Sequence, residues 1–154
     1  MPEKETIERA ERDKRQGKSP TTQAGEFVRE EMHHIREGKH GARSTKQAIA
    51  IGLSKARREG VDLPAPQKGT ASESTRRSAQ RALAKGKRRT RGVSGRRSGA
   101  IRAALKREGR RAASKPALAR QARSAARRRS AGARSAAGKK AARTKGRPAA
   151  RRPS

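Results

Sequence analysis

The chain of 154 residues has no cysteine, no tryptophan and no tyrosine, and it has one phenylalanine. Without cysteine there is no disulfide framework, no thiolate zinc site and no cysteine nucleophile. A single aromatic, Phe27, gives unpaired nucleic-acid bases no series of rings on which to stack. Long apolar runs are missing as well. The longest, "AIAIGL" at 48–53, falls far short of the ~20 residues that a membrane-spanning helix needs. The opening "MPEKETIERAERDKRQG" is charged throughout and reads as no secretory signal. No apolar or lipid anchor accompanies the basic residues, so no membrane partner is expected.

Acid is the other scarcity. There are 13 acidic residues against 44 basic ones, a net charge of +31. Residues 1–66 carry 14 basic and 11 acidic side chains, whereas residues 67–154 carry 30 and 2. "DLPAPQKG" (62–69) lies at the change and reads as a Pro/Gly linker. Only 29% of residues are hydrophobic, too few to offset the entropy of ordering the whole chain. The expected fold is mostly α: a small helical-hairpin head of two to three helices, then a largely disordered Ala/Arg-rich tail with transient short helices. The expected segments are a charged helix in 1–19, a hairpin domain in 20–61, a linker in 62–70 and a basic tail in 71–154.

Residues 3–16 read as a helix with Glu5–Arg9, Glu8–Arg12 and Glu11–Arg15 at i,i+4. Only Ile7 and Ala10 are apolar there, so a solvated, fraying helix is expected. A second helix runs from about Pro20 to Glu37, with Ser19 as its cap and Gly38 at its end. Phe27, Val28, Met32 and Ile35 share one face with Ala24. Glu31 lies in the same arc and needs a cation, for which Arg43 and Lys46 are candidates.

"STKQAIAIGLSKARREG" (44–60) forms the third element. Ser44 and Gln47 make a capping-box pattern, and Ile49 and Leu53 extend the core. The alternation of Ile49, Ile51 and Leu53 also fits a strand, but caps, alanine content and length favour helix. As a helix it leaves Ile51 pointing away from the core, where it would mark contact with a second copy or another partner. "GKHGAR" (38–43) becomes the turn of an αα-hairpin.

"EEMHHIREGKHG" followed by "STKQAIAIGLSKARREG" resembles a family of small basic bacterial proteins of unknown function. The matching positions are Met32, His33, Lys39, His40, Gly41 and Lys46 through Arg57, within about residues 20–64. The resemblance implies a bacterial origin and a compact helical head, but no established activity. At most the family is described, by inference, as DNA-binding.

Chemistry in the head is sparse. His33, His34 and His40 are the only histidines, and adjacent helical histidines diverge. No acid completes an evident ligand set, so no metal is expected. There is no nucleophile elbow and no Walker or dinucleotide pattern, so neither catalysis nor a cofactor is expected. Lys39, His40, Arg43 and Lys46 flank the start of the third helix, where free amides and the helix dipole favour a phosphate. A solvated basic turn is the equal alternative.

The tail repeats loosely: "RRSAQRALAKGKRR" (76–89) echoes "RRSGAIRAALKREGRR" (96–111). "SKPALARQARSAARRRS" (114–130) has a cap and an early proline. Short helices are expected between Gly86, Gly92, Gly95, Gly109 and Gly132, and irregular chain after Gly132. The tail resembles those of linker histones and bacterial histone-like proteins, with 22 Arg to 8 Lys, nearer to protamine usage. Arginine holds phosphate bidentately and enters narrow minor grooves.

The phosphate-binding set expected here is Arg76, Arg77, Arg81, Lys85, Lys87, Arg88, Arg89, Arg91, Arg96, Arg97, Arg102, Lys106, Arg107, Arg110 and Arg111. It continues with Arg120, Arg123, Arg127, Arg128, Arg129, Lys139, Lys140, Arg143, Lys145, Arg147, Arg151 and Arg152. A charge of +28 over the tail matches about 50 Å of duplex, or about 14 base pairs. The expected role is a non-sequence-specific, nucleoid-associated DNA-binding protein of the bacterial cytoplasm, with duplex DNA as partner, RNA as the alternative and the head as a homodimer contact. Two other readings stand beside it: an adaptor whose head binds a protein, and an RNA- or ribosome-associated protein.

Overall fold

The Ser44 hydroxyl accepts from the Gln47 amide at 3.2 Å, and the Gln47 side chain accepts from the Arg43 amide at 2.8 Å. This reciprocal cap starts a helix and settles the 44–60 stretch against the strand alternative. The structure, a computed structural model, describes residues 2–88 and 95–145, with the side chains of Arg97, Thr144 and Lys145 excepted. Its elements are α1 (Lys4–Arg15), α2 (Pro20–Glu37), α3 (Thr45–Arg58), α4 (Glu73–Lys87), α5 (Gly95–Lys106), a 3₁₀ turn (Arg111–Ala113), α6 (Lys115–Arg127) and α7 (Ala131–Lys145). No strand occurs among the described residues.

The chain divides into two compact units, residues 1–118 and 119–154. In the first, α2 packs on α3 and α1 packs on α2, while α4 packs on the other helix of the hairpin, α3. Gly38 ends α2 at φ +79°, a left-handed conformation that glycine adopts at no steric cost. The Lys39 amide reaches back to the His34 carbonyl, closing the helix end.

Two apolar clusters fill this unit. One gathers Phe27, Ala10, Ala24, Ala56, Val61 and Leu63, with Ile7 and Leu53 at its edge. The other gathers Met32, Ile35, Ala42, Ala48, Ala112 and Ala113, with Val28, Ile49 and Leu118 at its edge. Phe27, Val28, Met32, Ile35, Ile49 and Leu53, the core residues read from the sequence, are divided between them.

The first correction concerns α1, which is docked rather than solvated. Thr6, Ala10 and Asp13 are buried, Arg9 pairs with Glu26 at 2.7 Å, and Lys18 pairs with Asp13 at 2.6 Å. Its attachment rests on small side chains and ion pairs instead of an apolar stripe. The linker is also held: the guanidinium of buried Arg57 donates to the Leu63 and Pro64 carbonyls, both at 3.0 Å. Burial pushes the Arg57 guanidinium below its usual value, and the two carbonyls take the place of water.

The second correction concerns residues 71–145. The described part of the expected disordered tail is mainly helical, and Gly86 and Gly132 lie inside α4 and α7 instead of separating helices. Alanine's helix propensity is the physical reason, because it offsets like-charge repulsion along these helices. Gly95 begins α5 and Gly109 lies in the turn beyond it, while Gly92 falls outside the described residues.

Residues 105–113 form a strap across the α2–α3 turn. The Gly41 amide donates to the Leu105 carbonyl at 2.9 Å, and the Ala42 amide to the Gly109 carbonyl at 3.1 Å. Buried Thr45 donates its hydroxyl to the Ala112 carbonyl at 2.6 Å, and Arg36 donates to the Ala113 carbonyl at 2.9 Å. Gly41 is required here because a Cβ would overlap the Glu108 carbonyl. Ile51, expected to face a partner, is half-buried on α3, the helix against which α4 packs.

Candidate functional site

The two acids of the basic region are already taken. Glu73 pairs with Arg76 at 3.0 Å and with Arg77 at 3.3 Å, and Glu108 pairs with Arg43 at 3.4 Å. Arg76 first, then Arg77, holds the Glu73 carboxyl below its usual value, so it stays ionised. Lys87 comes within 3.9 Å of Asp62. The cations beyond these few therefore outnumber any carboxylate that could neutralise them.

Helix α4 carries Arg76, Arg77, Arg81, Lys85 and Lys87, with Arg88 next in sequence, and α5 carries Arg96, Arg97, Arg102 and Lys106. Arg107, Arg110 and Arg111 belong to the strap, and Arg110 lies beside Gly38. Apart from half-buried Arg76 and the undescribed Arg97 side chain, these cations are exposed.

In the second unit the helical spacing concentrates charge. Ser114 accepts from the Ala117 amide at 3.3 Å and starts α6. Arg120, Arg123 and Arg127 then recur every three to four residues, and with Ser124 and Arg128 they line one open depression. Among the described residues, none of these four arginines meets a carboxylate. Arg129 follows, and α7 presents Lys139, Lys140 and Arg143 on a helix whose described side chains are all exposed. Arg89, Arg91, Arg147, Arg151 and Arg152, and the side chains of Arg97 and Lys145, lie outside the described residues.

The turn expected to hold phosphate is arranged differently. Lys39 is paired with Glu3 at 3.0 Å and Glu37 at 3.1 Å, which raises its ammonium above its ordinary value. His40 faces Glu31 at 3.3 Å, and Arg43 faces Glu108. The Gly41 and Ala42 amides are occupied by the strap, so they are not open to an anion. Lys46 alone of the four is exposed with no side-chain partner among the described residues.

Glu31 is fully buried; Lys55 pairs with it at 2.7 Å and the His40 ring lies at 3.3 Å, in place of the expected Arg43 and Lys46. Around it stands a cluster that the sequence reading missed. One donor atom each from Glu31, His34 and His40 lie within 4.8 Å of one another, and Glu3, Glu30 and His34 form a second such group. The chain folds back at Gly38 to bring His40 against α2, which spacing along one helix could not reveal. Glu3 is drawn in by His34 at 2.8 Å and Lys39 at 3.0 Å, and these contacts lower its carboxyl to about 2.

Among known proteins, a family of unknown function, DUF6496, matches residues 15–68. That span contains α2, the turn and α3, and is consistent with an uncharacterised family. No curated protein and no solved structure matches the chain. No helix among the described residues is long and apolar enough to cross a membrane.

Proposed function

We propose that the chain is a non-sequence-specific, nucleoid-associated protein that binds duplex DNA through the phosphate backbone. The observation that carries this reading is the 30 basic residues against two acids in residues 67–154, both acids being paired already. Such an excess repels itself, and a polyanion relieves that repulsion while releasing its own condensed counterions. Residues of α6 offer a contiguous start: Arg120, Arg123 and Arg127 on the helix and Arg128 just past its end, with no carboxylate beside them among the described residues. Arginine dominance suits bidentate phosphate contact.

Duplex is favoured over single strands because Phe27, the lone aromatic, is buried in the first unit and offers no base a stacking surface. The packed helices of the first unit give the polycation a folded body to which its own residues 105–113 are fastened.

The test is duplex affinity against salt concentration, for the full chain and for R120Q/R123Q/R127Q/R128Q. The intact chain is expected to show a steep log–log slope that does not depend on sequence. The variant's slope is expected to be shallower by about 3–4, near 0.9 per lost phosphate contact. An unchanged slope in the variant removes α6 from the interface. Structured RNA displacing duplex at matched salt overturns the DNA reading itself.

A further inference from the structure

We propose that Glu31, His34 and His40 form a site for a divalent d-block cation, zinc foremost. The reasoning begins at His40. Its Nδ1 lies 3.1 Å from the Gly41 carbonyl oxygen, which can only accept a hydrogen bond, so Nδ1 carries the proton. In the neutral ring, Nε2 then presents a lone pair, and that lone pair faces Glu31 Oε1 at 3.3 Å. In that form two acceptors aim at one another, an arrangement completed either by a second proton on the ring or by a metal cation in its place. Zinc bonds of ~2.0–2.1 Å at a tetrahedral angle put adjacent donor atoms about 3.3–3.4 Å apart, which matches this separation.

The surroundings have the features of a metal site. Metal-bound histidines typically donate their remaining N–H to a carbonyl or carboxylate. His40 does so to Gly41, and His34 Nε2 lies 2.8 Å from Glu3 Oε1. Lys55 approaches the other Glu31 oxygen, Oε2, and leaves Oε1 turned toward His40. Glu31 is fully buried, yet neither oxygen has a hydrogen bond of good angle, and the neighbouring Glu30 Oε2 is buried without any partner. Lys55 meets Glu31 Oε2 at 2.7 Å, which leaves Glu31 Oε1 and Glu30 Oε2 as buried carboxylate oxygens that a further cation would stabilise. A shallow surface depression bordered by Gly38, His40, Gly41 and Arg110 gives an entry path. A cation here would join α2 to the turn whose Gly41 amide holds the strap.

The ligands fit a borderline cation: two imidazoles and one carboxylate, with the fourth place left to water. Competition within the chain is low, since the sequence has no cysteine and only one other histidine, His33, which is exposed and paired with Glu37 at 2.8 Å.

The experiment adds zinc chloride to the full chain after chelator treatment and follows the histidine ring nitrogens by NMR and binding by calorimetry. Expected are one zinc per chain and shifts at His34 and His40, with His33 unmoved. H33Q keeps the wild-type affinity. H40Q loses more than the ~10–100-fold that follows removal of an outer partner. If H40Q does not fold, the wild-type ring spectrum decides. Shifts confined to His33, equal shifts at all three rings, or no saturable binding overturn the proposal.

Discussion

Gly25 and Gly52 both sit inside helices, and replacing each by alanine is expected to move stability in opposite directions. Alanine is about 0.8–1.0 kcal/mol more favourable than glycine in a helix interior. Gly25 on α2 is exposed, and a Cβ there meets nothing within 4 Å, so G25A should gain close to that full amount. Gly52 is buried where α3 crosses α2, and a Cβ there would lie 2.7 Å from the Val28 Cα and 3.0 Å from its Cγ2. Backbone cannot swing aside as a flexible side-chain tip does, so the two helices must separate. Overpacking of this kind costs about 1–3 kcal/mol. Against the propensity gain, the net effect of G52A is a loss of about 1 kcal/mol, and the two variants should differ by about 2 kcal/mol. Urea unfolding of the full chain, read by circular dichroism, measures this as midpoints shifted to either side of wild type at constant slope. Equal stabilisation by both substitutions would refute the close α2–α3 crossing on which the first unit is built.

Other expectations follow from single contacts. T45V removes the donor to the Ala112 carbonyl and leaves a buried acceptor unpaired, a loss of about 1–3 kcal/mol. Faster hydrogen exchange at the Gly41 and Ala42 amides, which bind the strap carbonyls, checks that the loss is local to the strap. F27A empties the centre of the first cluster and should destabilise by about 3–5 kcal/mol, read in the same urea experiment. Glu3 is held at about 2 against an ordinary 4.5, so its contribution is complete above pH 4.5 and is lost as pH falls toward 2. E3Q should flatten thermal stability across that window, and a wild-type slope in the variant would remove Glu3 from the His34–Lys39 cluster.

The parts of this fold that were legible in the sequence are those written in apolar periodicity and caps. Phe27, Met32 and Ile35 recur at helical spacing, and Ser44 with Gln47 three residues later marks the start of α3. The docking of α1 was not legible, because its buried face consists of Thr6, Ala10 and Asp13, a set that reads as surface. What fastens it are cations and carboxylates far apart in sequence, such as Arg9 with Glu26 and His34 with Glu3. The strap escaped for a different reason. Four of its attachments use its own backbone carbonyls, at Leu105, Gly109, Ala112 and Ala113, and carbonyls leave no mark on composition. By side chain it is anchored by two buried alanines and by Glu108 on Arg43, in a stretch otherwise rich in arginine. The Glu31 cluster shares that cause: the need for a cation was visible, but its partners come from α3 and from across the Gly38 turn.

The strap bears on how a polycation and a small helical unit cooperate. Charge alone would let residues 67–154 bind phosphate wherever they lay, with no consequence for the head. Residues 105–113 instead hold basic side chains and head contacts on the same nine residues. Lys106, Arg107, Arg110 and Arg111 project from a backbone whose carbonyls are committed to Gly41, Ala42, Thr45 and Arg36. Phosphate contacts at these four cations therefore favour the strapped state wherever the strap's docked shape suits the duplex better than free chain does. By linkage, ligand that binds only this state stabilises it as its concentration rises above Kd. Amide exchange at Gly41 and Ala42 should then slow on addition of duplex DNA. Faster exchange would mean that duplex pulls the strap away, so that the head is released by the same binding event.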